Sequence, residues 1–371
     1  MRIAQVAPLA EAVPPKLYGG TERVVSWLTE ELVRQGHDVT LFASGDSLTT
    51  AKLVPGCPKG LRLAGINDHL ATMLVMLHDV RQRAQEFDII HFHCDLLQQP
   101  LFDSIQQRTV TTMHGRLDLP DFMPIYEAFP GMPFVSISDS QRAPMPASTN
   151  WAATIHHGLP PDLIPFNPND GKYLAFLGRI CPDKRLDRAI EIAKSVGMPL
   201  KVAAKVDPYD AKYFNEVIKP LLDDPQIEFI GEVGDSGKPE FLGNASALLF
   251  PIDWPEPFGL VMIEAMSAGT PVIAWRNGSV PEVITSGRSG FIVESIDDAV
   301  AAVPQALALD RRTVRAEFEK RFTLQHMAAR YISVYEEMVQ NASPSRSSTG
   351  YSNGRPRHQV NGTPASVAIR A

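Results

Sequence analysis

The chain has 371 residues, enough for two domains of ordinary size, which argues against a single small module. Apolar residues make up 44% and charged residues 21%, as in soluble globular proteins, which excludes a fibrous or wholly disordered chain. The 35 basic and 42 acidic residues give a formal net charge of −7. The chain therefore has no surplus of basic residues that would favour a nucleic-acid partner.

Cysteine spacing and apolar patterning indicate the compartment. Cys57, Cys94 and Cys181 stand far apart with no CxxC pair, which predicts neither a disulfide framework nor a zinc finger and is typical of a reducing compartment. No apolar stretch approaches the roughly 18 residues that a transmembrane helix needs, and the apolar run after Met1 is too short for a secretory signal. We therefore expect a cytoplasmic protein without a membrane span.

Short β-branched runs alternate with helical patterns in the first half of the chain. Between the first two runs, Val24, Leu28 and Leu32 follow helical spacing, and Gly36 stands where a helix C-cap is expected. Such strand, helix, strand units predict a parallel sheet with right-handed crossovers, whereas residues 44–67 show no distinctive pattern. Strands are predicted at residues 2–7, 38–43, 89–94, 109–113, 134–138 and 153–156. A second helix is predicted over residues 70–86, with an apolar face formed by Leu70, Met73, Leu74, Leu77, Val80 and Ala84.

A second alternating series follows a proline-rich segment. Four prolines between Gly158 and Gly171 exclude a helix there and predict a hinge. Strands are then predicted at residues 173–177, 200–204, 227–230, 247–251, 271–274 and 291–293, and a last helix over residues 324–339. Two such halves predict an α/β fold of two facing Rossmann-like parallel-sheet domains, with a ligand cleft at the carboxyl ends of the strands.

These patterns divide the chain into four parts. Residues 1–160 are predicted as the N-terminal domain, residues 161–323 as the C-terminal domain, and residues 324–340 as a helix that packs back toward the N-terminal domain. Residues 341–371 are rich in Ser, Pro, Gly and Asn and carry four arginines but no acidic residue. A segment of this composition buries too little apolar surface to offset the entropy of ordering, so it is predicted as a disordered tail.

The densest signal lies in residues 251–274, which read PIDWPEPFGLVMIEAMSAGTPVIA. A strand ends near Pro251, a proline-rich turn follows, and a helix is predicted to begin near Phe258 or Gly259. Because the first amides of a helix lack helical acceptors, this turn is a predicted phosphate site. Glu256 precedes the site and Glu264 lies about a turn and a half inside the helix. The predicted phosphate-binding amides are those of Phe258, Gly259, Leu260 and Val261.

A second segment, residues 176–187, follows a strand and contains two cations. Arg179 and Lys184 stand five residues apart across a turn. Cations at this spacing can hold a diphosphate from one side while the helix amides hold it from the other. Solvated surface residues are the alternative interpretation.

The first half offers a glycine turn and a histidine. Gly19 and Gly20 open the first helix and would let backbone amides approach a phosphate or a sugar; a plain turn is the alternative, and the pattern is not the GxGxxG of dinucleotide sites. His114 follows a strand and is predicted at the edge of the cleft, with a structural histidine as the alternative. His91, His93 and Asp95 alternate along one strand and point to the same side, a spacing that metal ligands also show. With no evident distant ligand, we expect no metal site there.

The segment from Glu256 to Glu264, with PFG between the two glutamates and EAMSAGTPV continuing from the second, resembles the E-x7-E motif of retaining GT-B glycosyltransferases of family 4. The Gly-Arg and Pro-Asp-Lys steps around Arg179 and Lys184, the glycine turn and the Gly-His-Asp-Val segment at residues 36–39 also match. The resemblance spans nearly all of residues 1–340. It implies that residues 1–160 hold the acceptor and that residues 161–323 hold a nucleotide-diphosphate sugar donor.

The resemblance also implies roles for the charged residues. Arg179 and Lys184 would take up the negative charge of the leaving diphosphate. Glu256 would sit beside the sugar ring, and Glu264 would bind the ribose hydroxyls. The Asp-x-Asp pair, through which GT-A transferases bind the diphosphate by way of Mn²⁺ or Mg²⁺, does not occur in the sequence. We therefore expect a metal-independent enzyme that needs no cofactor.

For the N-terminal half, the resemblance places His114 in hydrogen-bonding contact with the transferred sugar and the Gly19–Gly20 turn against the donor and acceptor. We assign His93 to the acceptor side of the cleft. Asn277 to Val283 and Ser289 to Val293 resemble the glycine loop and closing strand of the family and are predicted to be architectural.

The implied activity is transfer of a hexose from a nucleotide-diphosphate sugar to an acceptor hydroxyl, with UDP-glucose favoured and GDP-mannose as a second candidate. The acceptor is a sugar, a lipid or a small molecule, and a lipid acceptor would bring peripheral contact with the inner face of a membrane. Two alternatives stay open: a sugar-nucleotide 2-epimerase-like enzyme of the same fold, and an inactive carbohydrate-binding subunit.

Overall fold

The structure is a computed structural model that describes residues 1–16 and 19–342. Tyr18, in the predicted glycine turn, and most of the predicted tail, residues 343–371, lie outside the described residues. Within the described ranges the chain forms two parallel sheets, one in each half. In these same ranges no helix combines the length and the apolar character needed to cross a membrane.

The N-terminal sheet has its strands in the order β3-β2-β1-β4-β5-β6-β7, and every neighbouring pair is parallel. Its inner strands are largely buried on both faces, as in β1, an apolar run in which Ile3, Ala4 and Val6 are fully buried. In the described residues the strands are β1 (Arg2–Val6), β2 (Asp38–Ser44), β3 (Lys52–Cys57), β4 (Ile89–Phe92), β5 (Thr109–Thr112), β6 (Phe134–Ser136) and β7 (Trp151–Thr154).

The helices of this half are α1 (Gly20–Arg34), α2 (Leu70–Gln82), α3 (Gln99–Phe102) and α4 (Met123–Ala128). Helix α1 buries Val24, Leu28 and Leu32 against the sheet, as their spacing predicts. The chain leaves this helix through Gly36, whose φ of +86° lies in the left-handed region that favours glycine.

Local predictions in this half are wrong at strand β3 and at helix α2. Residues 52–57 form the edge strand β3, which the sequence does not reveal because it contains Pro55 and Gly56; an edge position tolerates a proline that a central strand would not. Helix α2 ends at Gln82 and not at residue 86, and a separate 3₁₀ turn follows at Ala84–Glu86. Leu70 and Leu74, predicted on the buried face, are exposed.

The C-terminal sheet has the order β10-β9-β8-β11-β12-β13 and is also parallel throughout. Its strands, within the described part of the chain, are β8 (Tyr173–Ile180), β9 (Leu200–Val206), β10 (Ile227–Gly231), β11 (Ala245–Phe250), β12 (Val272–Trp275) and β13 (Gly290–Val293). The helices are α5 (Leu186–Val196), α6 (Ala211–Tyr213), α7 (Lys238–Gly243), α8 (Leu260–Ala268), α9 (Val280–Val283), α10 (Ile296–Leu307), α11 (Arg311–Arg321) and α12 (Leu324–Ala342). The two sheets confirm the predicted α/β fold of two Rossmann-like units.

The chain passes between the two halves twice, and the two passages lie side by side. The Leu159 amide donates to the Phe322 carbonyl at 2.9 Å, and the Leu324 amide donates to the Leu159 carbonyl at 2.7 Å. Helix α12 then packs against α1 and the N-terminal sheet, with Tyr331 and Tyr335 fully buried. Helix α12, which follows the second passage, thus completes the core of the first half.

In each sheet the strand order reverses direction once, between β1 and β4 and between β8 and β11. Ligands of open parallel sheets bind outside the carboxyl ends of the strands at such reversals. The loops that follow β1, β4, β8 and β11 therefore mark where a site is expected.

Candidate active site

Lys184 and Glu256 come from the loops after β8 and β11 and meet at the reversal point of the C-terminal sheet. The Lys184 ammonium forms an ion pair with Glu256 Oε2, and the two side chains are 21% and 12% exposed. Trp254 Nε1 donates to the same carboxylate oxygen at 2.9 Å. The ammonium also lies 5.1 Å from the Trp254 ring centre and 5.5 Å from that of Phe250. A cation and a carboxylate are thus held together, partly shielded from water, at the mouth of the sheet.

Backbone contacts fix the loop that carries Glu256. The Asp253 amide donates to the Asp183 carbonyl at 2.8 Å, which ties this loop to the turn that carries Lys184. On its other side, the Ser279 amide donates to the Glu256 carbonyl at 2.9 Å. A side chain at Gly278 would collide with the Glu256 backbone. The glycine loop predicted to be architectural therefore packs directly against Glu256.

Helix α8 begins at Leu260, one or two residues later than predicted, with Gly259 as its N-cap. Gly259 has a φ of +79°, in the left-handed region that favours glycine, and a Cβ there would also lie 2.9 Å from Met262 Cε. The Met262 amide donates to the Gly259 carbonyl at 3.0 Å, and the amides that precede it at the start of α8 lack acceptors within the helix. A Cβ at Gly20 would lie 3.8 Å from Leu260 Cδ1, which places the predicted glycine turn of the first half against the start of α8.

Glu264 lies on the second turn of α8 and is only 3% exposed. Its Oε1 accepts from Lys238 Nζ at 2.6 Å, and the same ammonium lies 3.6 Å from Asp235. Asp235 in turn forms an ion pair with Arg23 of helix α1. A line of alternating charges therefore runs from the predicted ribose-binding carboxylate to the N-terminal half.

Arg179 lies at the end of β8, and its Nε is 3.5 Å from Asp210 Oδ2. Its side chain is 42% exposed. The two predicted diphosphate cations are thus each held by a different carboxylate, Arg179 by Asp210 and Lys184 by Glu256.

On the N-terminal side, His114 follows β5 and sits next to the loop of Phe258. Its Nε2 lies 2.8 Å from His93 Nδ1. Its ring stacks on that of His157 with centres 5.4 Å apart, and His157 meets the Phe258 ring edge-on at 5.0 Å. Burial lowers the pKa of the His114 imidazole to about 3, so the ring is neutral at physiological pH.

His93, assigned from the sequence to the acceptor side of the cleft, is only 2% exposed. Its ring is held between Gln5 and His114 at 2.8 Å on each side. It therefore supports His114 and does not line an open surface. Among the described residues, no group of three or more His, Cys, Asp and Glu is arranged to hold a metal ion.

Sequence reasoning missed several residues of this region. Trp254 stands inside the recognised motif, and His157 follows β7, so both carried a local signal; Gln5 and Lys238 carried none. Glu282 was also missed: its carboxylate accepts from the amides of Asp139 at 2.7 Å and Ser140 at 2.8 Å and lies 3.1 Å from His156 Nε2. Burial opposes ionisation of Glu282, but these three hydrogen bonds outweigh it and lower its pKa. Glu282 thus ties the two halves together beside the cleft.

Two family profiles match the chain. The profile described as Glycosyltransferase Family 4 matches residues 18–173, and the one described as Glycosyl transferases group 1 matches residues 164–322. Together they span residues 18–322, which contain both sheets apart from strand β1 and all the residues of the candidate site apart from Gln5.

Curated relatives and a solved structure agree with these matches. An uncharacterised glycosyltransferase of Methanocaldococcus jannaschii is 28% identical over 51% of this chain and 54% of its own length. The phosphatidyl-myo-inositol mannosyltransferase of Mycobacterium leprae is 24% identical over 92% of this chain and 98% of its own. The structure of Anabaena HepE in complex with UDP-glucose superposes with a TM-score of 0.67 at 16% identity, covering 91% of this chain and 100% of that one.

Proposed function

Since the chain belongs to the GT-B glycosyltransferases of family 4, we propose that it transfers a hexose from a nucleotide-diphosphate sugar to an acceptor hydroxyl, with retention of configuration and without a metal ion. The observation that carries this proposal is the Lys184–Glu256 pair at the mouth of the C-terminal sheet, next to the N-terminus of α8. A cation, a carboxylate and unpaired helix amides in one place suit a leaving diphosphate and a reacting sugar.

Lys184, Arg179 and the first amides of α8 stabilise the negative charge of the leaving diphosphate. In the reaction the bond from the anomeric carbon to the diphosphate oxygen breaks, and the electron pair leaves with the nucleoside diphosphate. Negative charge on the diphosphate grows in the transition state, so groups that bind it there accelerate the step. An incoming diphosphate competes with Glu256 for Lys184 and with Asp210 for Arg179.

Carboxylates and His114 hold the sugar parts of the donor. Glu256, released from Lys184, lies beside the sugar ring and supports positive charge near the anomeric carbon. Glu264 accepts hydrogen bonds from the ribose hydroxyls, and His114 bonds a hydroxyl of the hexose. The acceptor hydroxyl attacks from the face that the diphosphate leaves, and its proton passes to a leaving phosphate oxygen.

UDP-glucose is the favoured donor, because the similar structure of HepE is of a complex with that nucleotide sugar. GDP-mannose is the second candidate, and the mannosyltransferase of Mycobacterium leprae supports it. That relative's name also supports an inositol lipid among the candidate acceptors. We further propose that the protein works in the cytoplasm, with peripheral contact to the inner face of a membrane where the acceptor is a lipid.

The proposal is tested by measuring nucleoside diphosphate release from UDP-glucose, GDP-mannose and ADP-glucose, each with and without a panel of sugar, inositol and lipid acceptors. We expect release that depends on an acceptor, and a glycoside product whose anomeric proton shows the configuration of the donor. Release of the nucleoside diphosphate together with an altered free sugar, at a rate that does not depend on an acceptor, would indicate the epimerase-like enzyme. Donor or carbohydrate binding without any release would indicate an inactive subunit, and inversion at the anomeric carbon would contradict the retaining mechanism.

A further inference from the structure

A chain of buried hydrogen bonds runs from His114 at the cleft to helix α12 behind the N-terminal sheet. His114 Nε2 lies 2.8 Å from His93 Nδ1, and His93 Nε2 lies 2.8 Å from Gln5 Oε1. Gln5 Nε2 lies 3.2 Å from the Tyr335 hydroxyl, which lies 2.6 Å from His91 Nδ1. The chain ends with His91 Nε2 at 2.7 Å from Thr112 Oγ1, which lies 2.9 Å from the Tyr331 hydroxyl.

The Gln5 amide sets the direction of this chain. An amide nitrogen only donates, so Gln5 Nε2 donates to the Tyr335 hydroxyl and leaves Gln5 Oε1 to accept from His93. His93 therefore carries its proton on Nε2, and its Nδ1 is an acceptor. The partner of that acceptor, His114 Nε2, must then be the protonated nitrogen of His114.

This direction leaves His114 Nδ1 as an unprotonated acceptor. Within the part of the chain that the structure describes, this atom is buried and has no hydrogen-bond partner. Buried polar atoms of folded proteins are nearly always paired, and an unpaired one calls for a ligand or a strain to explain it. The imidazole stacks on His157, which contacts Phe258 beside the first turn of α8, so the acceptor belongs to the region where the donor sugar would lie.

We propose that Gln5 and His93 are positioning residues that hold His114 in the tautomer with the proton on Nε2, so that Nδ1 accepts a hydrogen bond from a hydroxyl of the transferred hexose. The proposal rests on the proposed function and adds to it the direction of the bond. The enzyme requires a sugar that donates at this position, and a donor deoxygenated there is rejected because the acceptor stays unpaired.

The protonation state of the three histidine rings in the chain supports this arrangement. Burial holds the pKa of His91 and of His93 well below the usual value, and that of His114 at about 3. All three rings are therefore neutral at physiological pH, and a neutral imidazole has one donor and one acceptor whose places are set by its partners.

The tautomer is measured directly by long-range proton–nitrogen NMR on protein labelled with ¹⁵N-histidine. In the wild type we expect a His114 signal with Nε2 protonated and Nδ1 bare, and a shift of Nδ1 when UDP-glucose is added that UDP alone does not cause. A His114 signal with the proton on Nδ1, which the opposite orientation of the Gln5 amide would produce, overturns the proposal. So does a Nδ1 signal that responds equally to UDP and to UDP-glucose.

Two substitutions at buried positions distinguish a positioning role of the hydrogen-bond chain from a role in packing alone. Gln5→Met removes the acceptor of His93 while keeping a side chain of similar length, and we expect mixed His114 tautomers and a fall in kcat/KM for UDP-glucose on the order of tenfold. Tyr331→Phe removes a buried hydroxyl at the far end of the same chain and should leave the tautomer and kcat/KM unchanged. Equal loss of kcat/KM in both variants, with the wild-type tautomer kept, would show a purely structural role.

The tautomer spectrum of the free protein needs no turnover, so the two proposals can fail separately. Release of UDP from UDP-glucose together with a Nδ1-protonated His114 would overturn the positioning role and leave the proposed function standing. Absence of release from every nucleotide sugar would overturn the proposed function, and with it the sugar contact of His114.

Discussion

The two walls of the cleft organise their polar groups in opposite ways. The C-terminal wall consists of charged side chains in ion pairs. The N-terminal wall consists of neutral side chains, three of them in a buried hydrogen-bond chain and the fourth, His157, stacked on His114. We define the C-terminal wall by Arg179, Lys184, Lys238, Glu256 and Glu264 and the N-terminal wall by Gln5, His93, His114 and His157.

Under the proposed function, the difference follows from the ligand that each wall would bind. A diphosphate carries charge that develops further in the reaction, so it calls for cations that are partly solvated in its absence; here they are paired with Glu256 and Asp210. A sugar is neutral and is recognised by the direction of hydrogen bonds, which demands fixed donors and acceptors in a dry environment. The side chains of an ion pair can exchange partners when a ligand binds, whereas a buried chain of hydrogen bonds keeps its geometry.

The largest effect is expected for Lys184→Ala in the C-terminal wall. Loss of this cation removes stabilisation of the leaving diphosphate and should lower the rate of UDP release from UDP-glucose about a hundredfold. Lys194→Ala is the matched control, because Lys194 also forms an ion pair on this domain, 3.0 Å from Asp224, but is 50% exposed. Equal turnover of Lys184→Ala and wild type would show that Lys184 does not stabilise the leaving diphosphate.

Glu264→Gln should weaken nucleotide binding by about tenfold or more, because hydrogen bonds to a charged group are stronger than those to an amide. The dissociation constant of UDP, measured by titration calorimetry, reports this change. Glu228→Gln alters an exposed carboxylate that pairs with Lys201 and should leave the constant unchanged. An unchanged constant in Glu264→Gln would contradict the assignment of this residue to the ribose.

Acid should weaken the N-terminal wall first. Burial lowers the pKa of His93, so the folded protein keeps this ring neutral, whereas the unfolded chain takes up a proton below about pH 6.5. The unfolded state then binds more protons, and the free energy of unfolding falls as the pH drops from 6.5, by about 1.4 kcal/mol per pH unit for this residue.

His93→Gln should therefore reduce the slope of the unfolding free energy against pH between pH 6.5 and 5, by about 1.4 kcal/mol per pH unit. Urea unfolding at several pH values measures this slope. His78→Gln, at an exposed position of α2, serves as the control and should leave the slope as it is. A wild-type slope in His93→Gln would show that this ring is already protonated in the folded protein.

A smaller effect is expected at the contact between the walls. Glu282→Gln keeps the shape of the side chain but removes the charge that accepts from the Asp139 and Ser140 amides, and should cost about 1 kcal/mol of unfolding free energy. Glu294→Gln changes an exposed carboxylate paired with Arg276 and should cost less than about 0.5 kcal/mol. Equal costs in the two variants would mean that Glu282 does not tie the halves together.

Part of the C-terminal wall follows from local sequence, whereas Lys238 carries no sequence signal. Glu256, Gly259 and Glu264 lie within nine residues, and the strand, turn and helix that carry them follow from proline, glycine and apolar spacing. Lys184 lies on the turn after β8, as predicted, whereas Arg179 lies within the strand itself. The spacing of these two cations did not reveal that Asp210 and Glu256 hold them, because those carboxylates follow other strands.

The N-terminal wall could not be predicted in the same way. His114 and its strand were recognised, but Gln5 and Tyr335 are 330 positions apart and meet only because α12 returns to the first sheet. Nothing in the local sequence around Gln5 distinguishes its side chain from any other buried polar group. Edge strand β3 was missed for a different reason, since Pro55 and Gly56 contradict the usual strand pattern.

The central claim is that the cations and amides of the C-terminal wall neutralise the diphosphate without a metal ion. It is tested most directly by measuring UDP release from UDP-glucose, with acceptor, before and after treatment with excess EDTA. We predict the same rate in both conditions. A loss of activity in EDTA that Mn²⁺ or Mg²⁺ restores would contradict the claim.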